Sequence, residues 1–600
     1  MSRRGRRTAF LGSASRGGVA RWSNLYGATP STHNIPITQP VLLDINAVCQ
    51  GIEITGAGQL VFDPNQSLLL QVDAHPVMVM DGGHLEMAPA SAAVTHEIRF
   101  INVDETQFTS SGGIDTIDHH LNPGFMVMDA TVDLRGTTKT GWTRATGALL
   151  AAATSCTVAD ATGWQIGDEI VITPTRASSV ANHFNHFDRR TLTNVVGNTL
   201  TFAALTYPHP TNTDPVTGEV IPAEVLNLTR NVKITGQDAT HRAHTMFMGD
   251  CTGSVLEYFE GRYLGPRQVI PDDPTFTNGV LGRYGLHFHL MEEGSRDINV
   301  RGVSMYDLGY RAFVPHGSDG LTFTDCVAWD VFSEGYWWDI EDELLSHESD
   351  DLLYDRCFAG RVRRSRPNPE GVHNSGFFLS AGENIAIRNC CVAGVDGYVD
   401  TAGYHWPEVL NQNPHNFWIF EDNDAHNIKD HGIFAWQNDS THHDIVRFRG
   451  WNCDAYGFRF GAYFNAYQVD DVKVWGNGSH DLSLNIQCRV DAEPSRLVEL
   501  YGGGHIGLLR ISHHTSSIAI ASRPVTFTDV NIDAIEVIES GATPNPGFED
   551  FINCGLHPDD VTVTWMDTDS IIRIQTGASA WRVTSTTNTN KVVESIALFA

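Results

Sequence analysis

Leu353-Tyr-Asp-Arg-Cys-Phe-Ala359, Ile385-Ala-Ile-Arg-Asn-Cys-Cys-Val392 and Val446-Arg-Phe-Arg-Gly-Trp-Asn-Cys453 decide the fold. Each alternates apolar and polar residues, turns at a polar residue, and resumes with small or apolar ones. Alternation sends every second side chain inward. A Gly-centred bend and another short apolar strand follow, as in Gly376-Phe-Phe-Leu379 and Gly457-Phe-Arg-Phe460. Working outward, Ile298-Asn-Val-Arg-Gly-Val303, Leu321-Thr-Phe-Thr-Asp-Cys-Val-Ala328 and Phe420-Glu-Asp-Asn-Asp-Ala-His426 repeat the pattern. Units of about 22 to 36 residues, with strands and no long helical periodicity, predict a solenoid. The expected fold is all-β, a right-handed parallel β-helix, with Asn and Asp satisfying backbone groups at its bends.

The 600 residues carry 71 acidic and 40 basic side chains, a net charge of −31. That balance argues against general nucleic-acid binding, which needs a basic surface. No run of 18 apolar residues suggests membrane insertion. The basic residues are 35 Arg and 5 Lys, as a GC-rich coding genome would give. Ten cysteines form no CxxC pair. The spacing of Cys326, Cys357 and Cys390 suits a column of buried thiols in a repeat better than bridges.

Outside the repeat the chain divides further. Residues 1–35 contain Arg3, Arg4, Arg6, Arg7, Arg16 and Arg21, with no acid before Asp44. The apolar stretch after Arg6-Arg7 is short and broken by Arg16, so no export signal is read there. The segment reads as an extended basic arm, either a frayed terminus or an anchor that orders on a partner. Residues 36–135 read as a small β domain and 136–225 as a β insertion, where Asp168 and Glu169 suit turns and solvent. The β-helix is expected over 226–535. A β-rich segment at 536–600 would close the open end or make a homotrimer.

The chain resembles the G8-domain family typified by the cell-migration-inducing hyaluronidase and its transmembrane relative. The resemblance rests on Gly56, Gly58, Leu60, Phe62, Gly82, Gly83 and Leu85, on Trp164 to Ile172, and on Leu228-Thr-Arg-Asn-Val232. Its most specific part is Gly285-Leu-His-Phe-His-Leu290, then His316-Gly-Ser-Asp-Gly-Leu321, then Glu341-Asp342. Coverage is roughly residues 36 to 465. The resemblance implies a β-helix acting at a glycan, with hyaluronan depolymerisation in the best-known members. In architecture, an arm followed by a β-helix also resembles a bacteriophage tail spike or minor tail protein.

The residues around His287 carry the candidate chemistry. Alternation puts Leu286, Phe288 and Leu290 in the core, and His287 and His289 outside. His316 and Glu341 follow at about one coil each, so the four are expected in one outward column, with Asp342 beside Glu341. His287, His289 and Glu341 suit one divalent metal ion. Alternatively, His287, His289, His316, Glu341 and Asp342 supply acid–base catalysis of glycan cleavage. A self-satisfied polar ladder is the third reading. Arg361, Arg363 and Arg364 form a basic patch suited to an acidic sugar, or a solvated loop balancing Glu348, Asp350 and Asp351. Trp406 and Trp436 are candidate sugar-stacking rings, or core.

Two functions are expected from these features. One is a virion-associated protein, located in the tail, that recognises a host cell-surface polysaccharide, with or without degrading it. It would bind other tail proteins through its arm. The other is an extracellular, secreted hyaluronidase-like enzyme.

Overall fold

The computed structural model describes residues 19–29, 34–108, 122–270, 273–337, 349–364, 374–379, 382–397, 401–406, 419–435, 443–460, 467–487, 498–514, 525–540, 548–552, 561–564, 571–575, 584–585 and 594–595. Each coil of the central region places three short strands on three faces. In one coil these are Asn299–Arg301, Ser304–Tyr306 and Phe313–Ser318. The next coil stacks Thr322–Thr324, Val327–Phe332 and Glu334–Trp337 on them in parallel. This is the parallel β-helix read from the repeat. The only α-helix among the described residues is Trp22–Leu25. No helix among them is long and apolar enough to cross a membrane.

Register carries the core from coil to coil. Val300, Phe323, Tyr354, Ile387, Phe420, Ile445, Val469 and Leu500 pair in succession on the first face. On the third face, Phe313, Tyr336, Phe377 and Tyr404 stack with centroids 4.8, 4.3 and 5.2 Å apart. The corner between the first two faces turns on a left-handed residue in successive coils: Asp325, Arg356, Asn389, Asp422, Arg447 and Asp471, with φ between 49° and 56°. Asp and Asn tolerate that region best. The two arginines occupy it with their side chains on the previous corner, Arg356 on Asp325 at 2.8 Å and Arg447 on Asp422 at 2.6 Å. Cys326, Cys357 and Cys390 are buried, unbridged and stacked, as their spacing predicts; the Cys357 amide lies 3.4 Å from the Cys390 Sγ.

The early strands belong to the same stack. Phe125–Met128 pairs with Val77–Met80 on one side and with Thr245–Met248 on the other. His96–Ile101 likewise joins Leu68–Asp73 to Val232–Thr235. Between these rungs the chain leaves the stack and builds an antiparallel unit. Its sheet orders Trp142–Arg144, Glu224–Asn227, Glu169–Ile172 and Asp188–Thr191 around Trp164, Ile170, Leu200 and Val225. Trp142, Phe187 and Leu226 then dock it on Trp329, Phe358 and Cys391 of the β-helix.

Residues 36–135 thus share the β-helix instead of forming a separate small domain, and three further expectations change. Residues 20–29 are not part of a free arm: Ala20–Arg21 pairs with Val41–Leu42, and Trp22 is 0% exposed in the core. An indole plugs the apolar end of the first coil, which water would otherwise wet. Asp168 is buried instead of solvated, with both carboxylate oxygens 2.8 Å from Lys139 Nζ. Burial of a carboxylate is tolerable because the ammonium and Asn227 satisfy it. Lastly, Phe548–Ile552 and Ile571–Gln575 extend the first face in parallel, so coil stacking continues past residue 536.

Candidate functional site

The strand Leu286–Glu292 opens the site. Leu286 and Phe288 point into the core, and His287 and His289 alternate outward from the wall. The next coil brings Phe313–Ser318 alongside with His289 opposite His316. The three imidazoles converge: their ligating nitrogens all lie within 4.8 Å of one another. His289 Nδ1 and His316 Nδ1 are 3.2 Å apart. The His287 and His316 rings are nearly parallel at 6.1 Å. Alternation stops at Leu290, which is 36% exposed at φ +48° in place of the expected core position. The ladder register shifts between His289 and Glu292.

Outward from the wall does not mean solvated. His287 is 1% exposed and His289 9%. Tyr284 packs edge-on against His287 at 4.7 Å. His287 Nδ1 meets the Gly282 carbonyl at 3.2 Å, and its Nε2 is buried with no hydrogen-bond partner among the described residues. Burial first, then the neighbouring His289, His316 and Arg283, hold the His287 proton affinity well below the ordinary imidazole range. His287 is therefore neutral at physiological pH, the form in which an imidazole ligates a metal. Arg283 is 1% exposed and donates to Asn122 and to the Gly282 carbonyl, with no carboxylate partner among the described residues.

Beside the triad stands an aromatic wall that sequence reasoning missed. Tyr284, Tyr310, Val314 and Trp337 pack together on the outside of the third face. The Arg311 guanidinium lies 3.4 Å over the Trp337 ring while its Nε donates to Glu334 at 2.6 Å. These residues come from three coils, so no short motif announces them.

Of the other candidates, Glu341, Asp342 and Trp436 lie outside the described residues. Trp406 is not a sugar platform: it is 1% exposed and meets Phe420 edge-on within the core. Trp451 is buried too, stacked between His426 and Trp475. The arginine patch is paired internally. Arg361 and Arg363 reach Asp330 at 3.5 and 2.5 Å, and Arg364 reaches Asp396 at 3.8 Å. Asp350 and Asp351 are used elsewhere, Asp351 with Arg296 and Asp350 on the Glu383 amide. The partners differ because the arginines sit over the second face, on the Asp330 side.

A second convergent group was also missed. Glu224, Cys391 and His426 bring ligand atoms within 4.8 Å. Its oxygens are engaged, since Glu224 binds His426 at 3.0 Å, Thr173 at 2.7 Å and Arg144 at 3.2 Å. Arg144 also reaches Asp424 at 2.6 Å. The group is a polar clasp between insertion and β-helix.

Residues 22–146 match the family model described as "G8 domain". That segment is similar to a G8 domain. Its first residue is the Trp22 that plugs the solenoid, and its last lies just beyond the first insertion strand. The triad lies downstream of the G8 match. Similar curated proteins include Fibrocystin-L of Mus musculus, 25% identical over 406 residues, which are 59% of this chain and 9% of that one. A G8 domain-containing protein of Dictyostelium discoideum is 25% identical over 181 residues, 30% of this chain and 11% of its own. Protein rliB of the same organism is 24% identical over 287 residues, 45% of this chain and 24% of its own. The chain thus spans roughly a tenth to a quarter of these relatives. Among solved structures, a tailspike protein of Pseudomonas phage LKA1 is similar at a TM-score of 0.29 and 10% identity, covering 89% of this chain and 73% of that one. A tailspike of Acinetobacter baumannii bacteriophage AP22, solved with capsular saccharide, gives 0.20 and 11% over 88% of this chain and 74% of that one.

Proposed function

We propose that the protein binds a cell-surface polysaccharide beside the imidazole triad and cleaves it, with one divalent metal ion held by His287, His289 and His316. The carrying observation is the convergence of three ring nitrogens within 4.8 Å. Two nitrogens 3.2 Å apart suit two ligands of one tetrahedral ion, whose metal–nitrogen bonds are about 2.0–2.1 Å. His287 fits a ligand better than a general acid, because its surroundings keep it neutral. In the proposal Glu341 completes the ligand set or accepts a proton. The ion would supply an activated water and charge stabilisation. Tyr284, Trp337 and Arg311 would flank the sugar and exclude solvent.

Protein purified without chelator should contain about one divalent ion per chain, and His289→Ala should lose it. Depolymerisation of an acidic polysaccharide should stop on chelation and resume on metal return. A metal-free protein that cleaves as well with chelator as without it would overturn the metal reading. A virion tail is the setting we favour, supported by the arginine-rich start and the Arg-over-Lys composition. Its presence in purified particles tests that setting. Secretion as a free enzyme is the alternative, supported by the kinship with G8-domain proteins.

A further inference from the structure

Six of the eleven methionines gather on one patch of the outer wall. Met78, Met126 and Met246 are in register on three successive coils, and so are Met80, Met128 and Met248. Their in-between neighbours Val77, Val79, Phe125, Val127 and Phe247 point the other way, into the main core. The patch is therefore outside the solenoid. It consists of methionine alone: Met78, Met126, Met246 and Met248 are 2–5% exposed, and Met80 and Met128 are half-buried against them. Neighbouring coils stand about 4.8 Å apart, so the thioethers of each column are adjacent. The register of Phe247 with Phe288 continues both columns into His287 and His289 on the next coil.

Ordinary packing does not ask for this composition. Branched and aromatic residues fill such a face with better-defined rotamers, and the core on the other side of the same strands uses valine and phenylalanine. Six thioethers in two adjacent columns share one chemical property, a soft sulfur donor. Thioether ligands select Cu(I) over harder ions. A bare monovalent ion needs no preformed cavity, because the unbranched methionine side chain adjusts around it. The flexible, half-buried Met80 and Met128 give a route in from solvent.

We propose that the methionine row is a binding site for a soft monovalent cation, Cu(I), separate from the divalent site proposed at the triad. The row places that site one coil below the imidazoles.

The test is titration of the full chain with Cu(I) under reducing, anaerobic conditions against a chromogenic Cu(I) chelator, with Ag(I) as a redox-inert second probe. At least one Cu(I) per chain should be retained, with sulfur scatterers in its X-ray absorption spectrum. Met126→Leu combined with Met246→Leu keeps the apolar volume. It should weaken Cu(I) binding at least about tenfold while leaving the circular dichroism unchanged. The half-buried Met128→Leu is the second variant should the pair disturb folding. His289→Ala should lose the divalent ion and keep Cu(I), which separates this proposal from the triad reading. Failure to retain Cu(I), equal retention by the leucine variants, or nitrogen scatterers alone would overturn it.

Discussion

Replacement of His287 by leucine separates function from stability in opposite directions. His287 is 1% exposed, and its Nε2 makes no hydrogen bond among the described residues. A buried nitrogen left unpaired costs about 1–3 kcal/mol. The substitution also removes a contact from Nδ1 to the Gly282 carbonyl at 3.2 Å, and such a hydrogen bond contributes about 0.5–1.5 kcal/mol. Leucine has a similar volume, so packing changes little. In chelator, His287→Leu is expected to be more stable than the wild type by about 1 kcal/mol. Metal reverses the order. A ligand at a hundred times its Kd stabilises the folded state by about 2.7 kcal/mol, and only the wild type should gain it. Guanidinium unfolding followed by tryptophan fluorescence, with chelator and then with zinc, reads both quantities. A loss of more than about 2 kcal/mol in chelator, the mark of a core residue, would refute the reasoning. So would an absence of metal stabilisation in the wild type.

Three further outcomes follow from the same structure. Trp406→Ala should destabilise by about 3–5 kcal/mol while leaving the affinity of folded protein for polysaccharide unchanged, because the indole is core; isothermal titration against chemical denaturation checks it. Glu224→Gln should loosen the insertion by about 3 kcal/mol, the low end for a broken buried pair, because Arg144 keeps Asp424; hydrogen exchange over residues 142–227 reads it. Burial alone would raise the Glu224 pKa, but His426 and Arg144 outweigh it and hold the carboxyl well below its ordinary range. The clasp is thus complete above about pH 4.3 and is lost as pH falls toward the folded value, so the acid-unfolding limb should shift in Glu224→Gln. Removal of residues 1–29 should expose the first coil and cause aggregation, whereas removal of 1–18 keeps the Trp22 plug; light scattering distinguishes the two.

The repeat of short alternating strands was enough to determine the solenoid, its thiol column and its polar corners, because coil stacking depends on side-chain period and turn residues, both local properties. The same reading brought His287, His289 and His316 together, since one strand and one coil of spacing suffice. It did not reveal that outward residues are covered. Trp406 and Trp451 look alike in sequence to sugar-stacking rings, and only the stacking of one coil on another buries them. The three Met-x-Met pairs were in plain view, yet 118 residues separate Met128 from Met246, and only the return of the chain to the same face after the insertion makes one row of them. Glu224, Cys391 and His426 meet only where the insertion docks. Local order is written in neighbouring residues, whereas burial and long-range convergence depend on which surfaces the folded chain brings into contact.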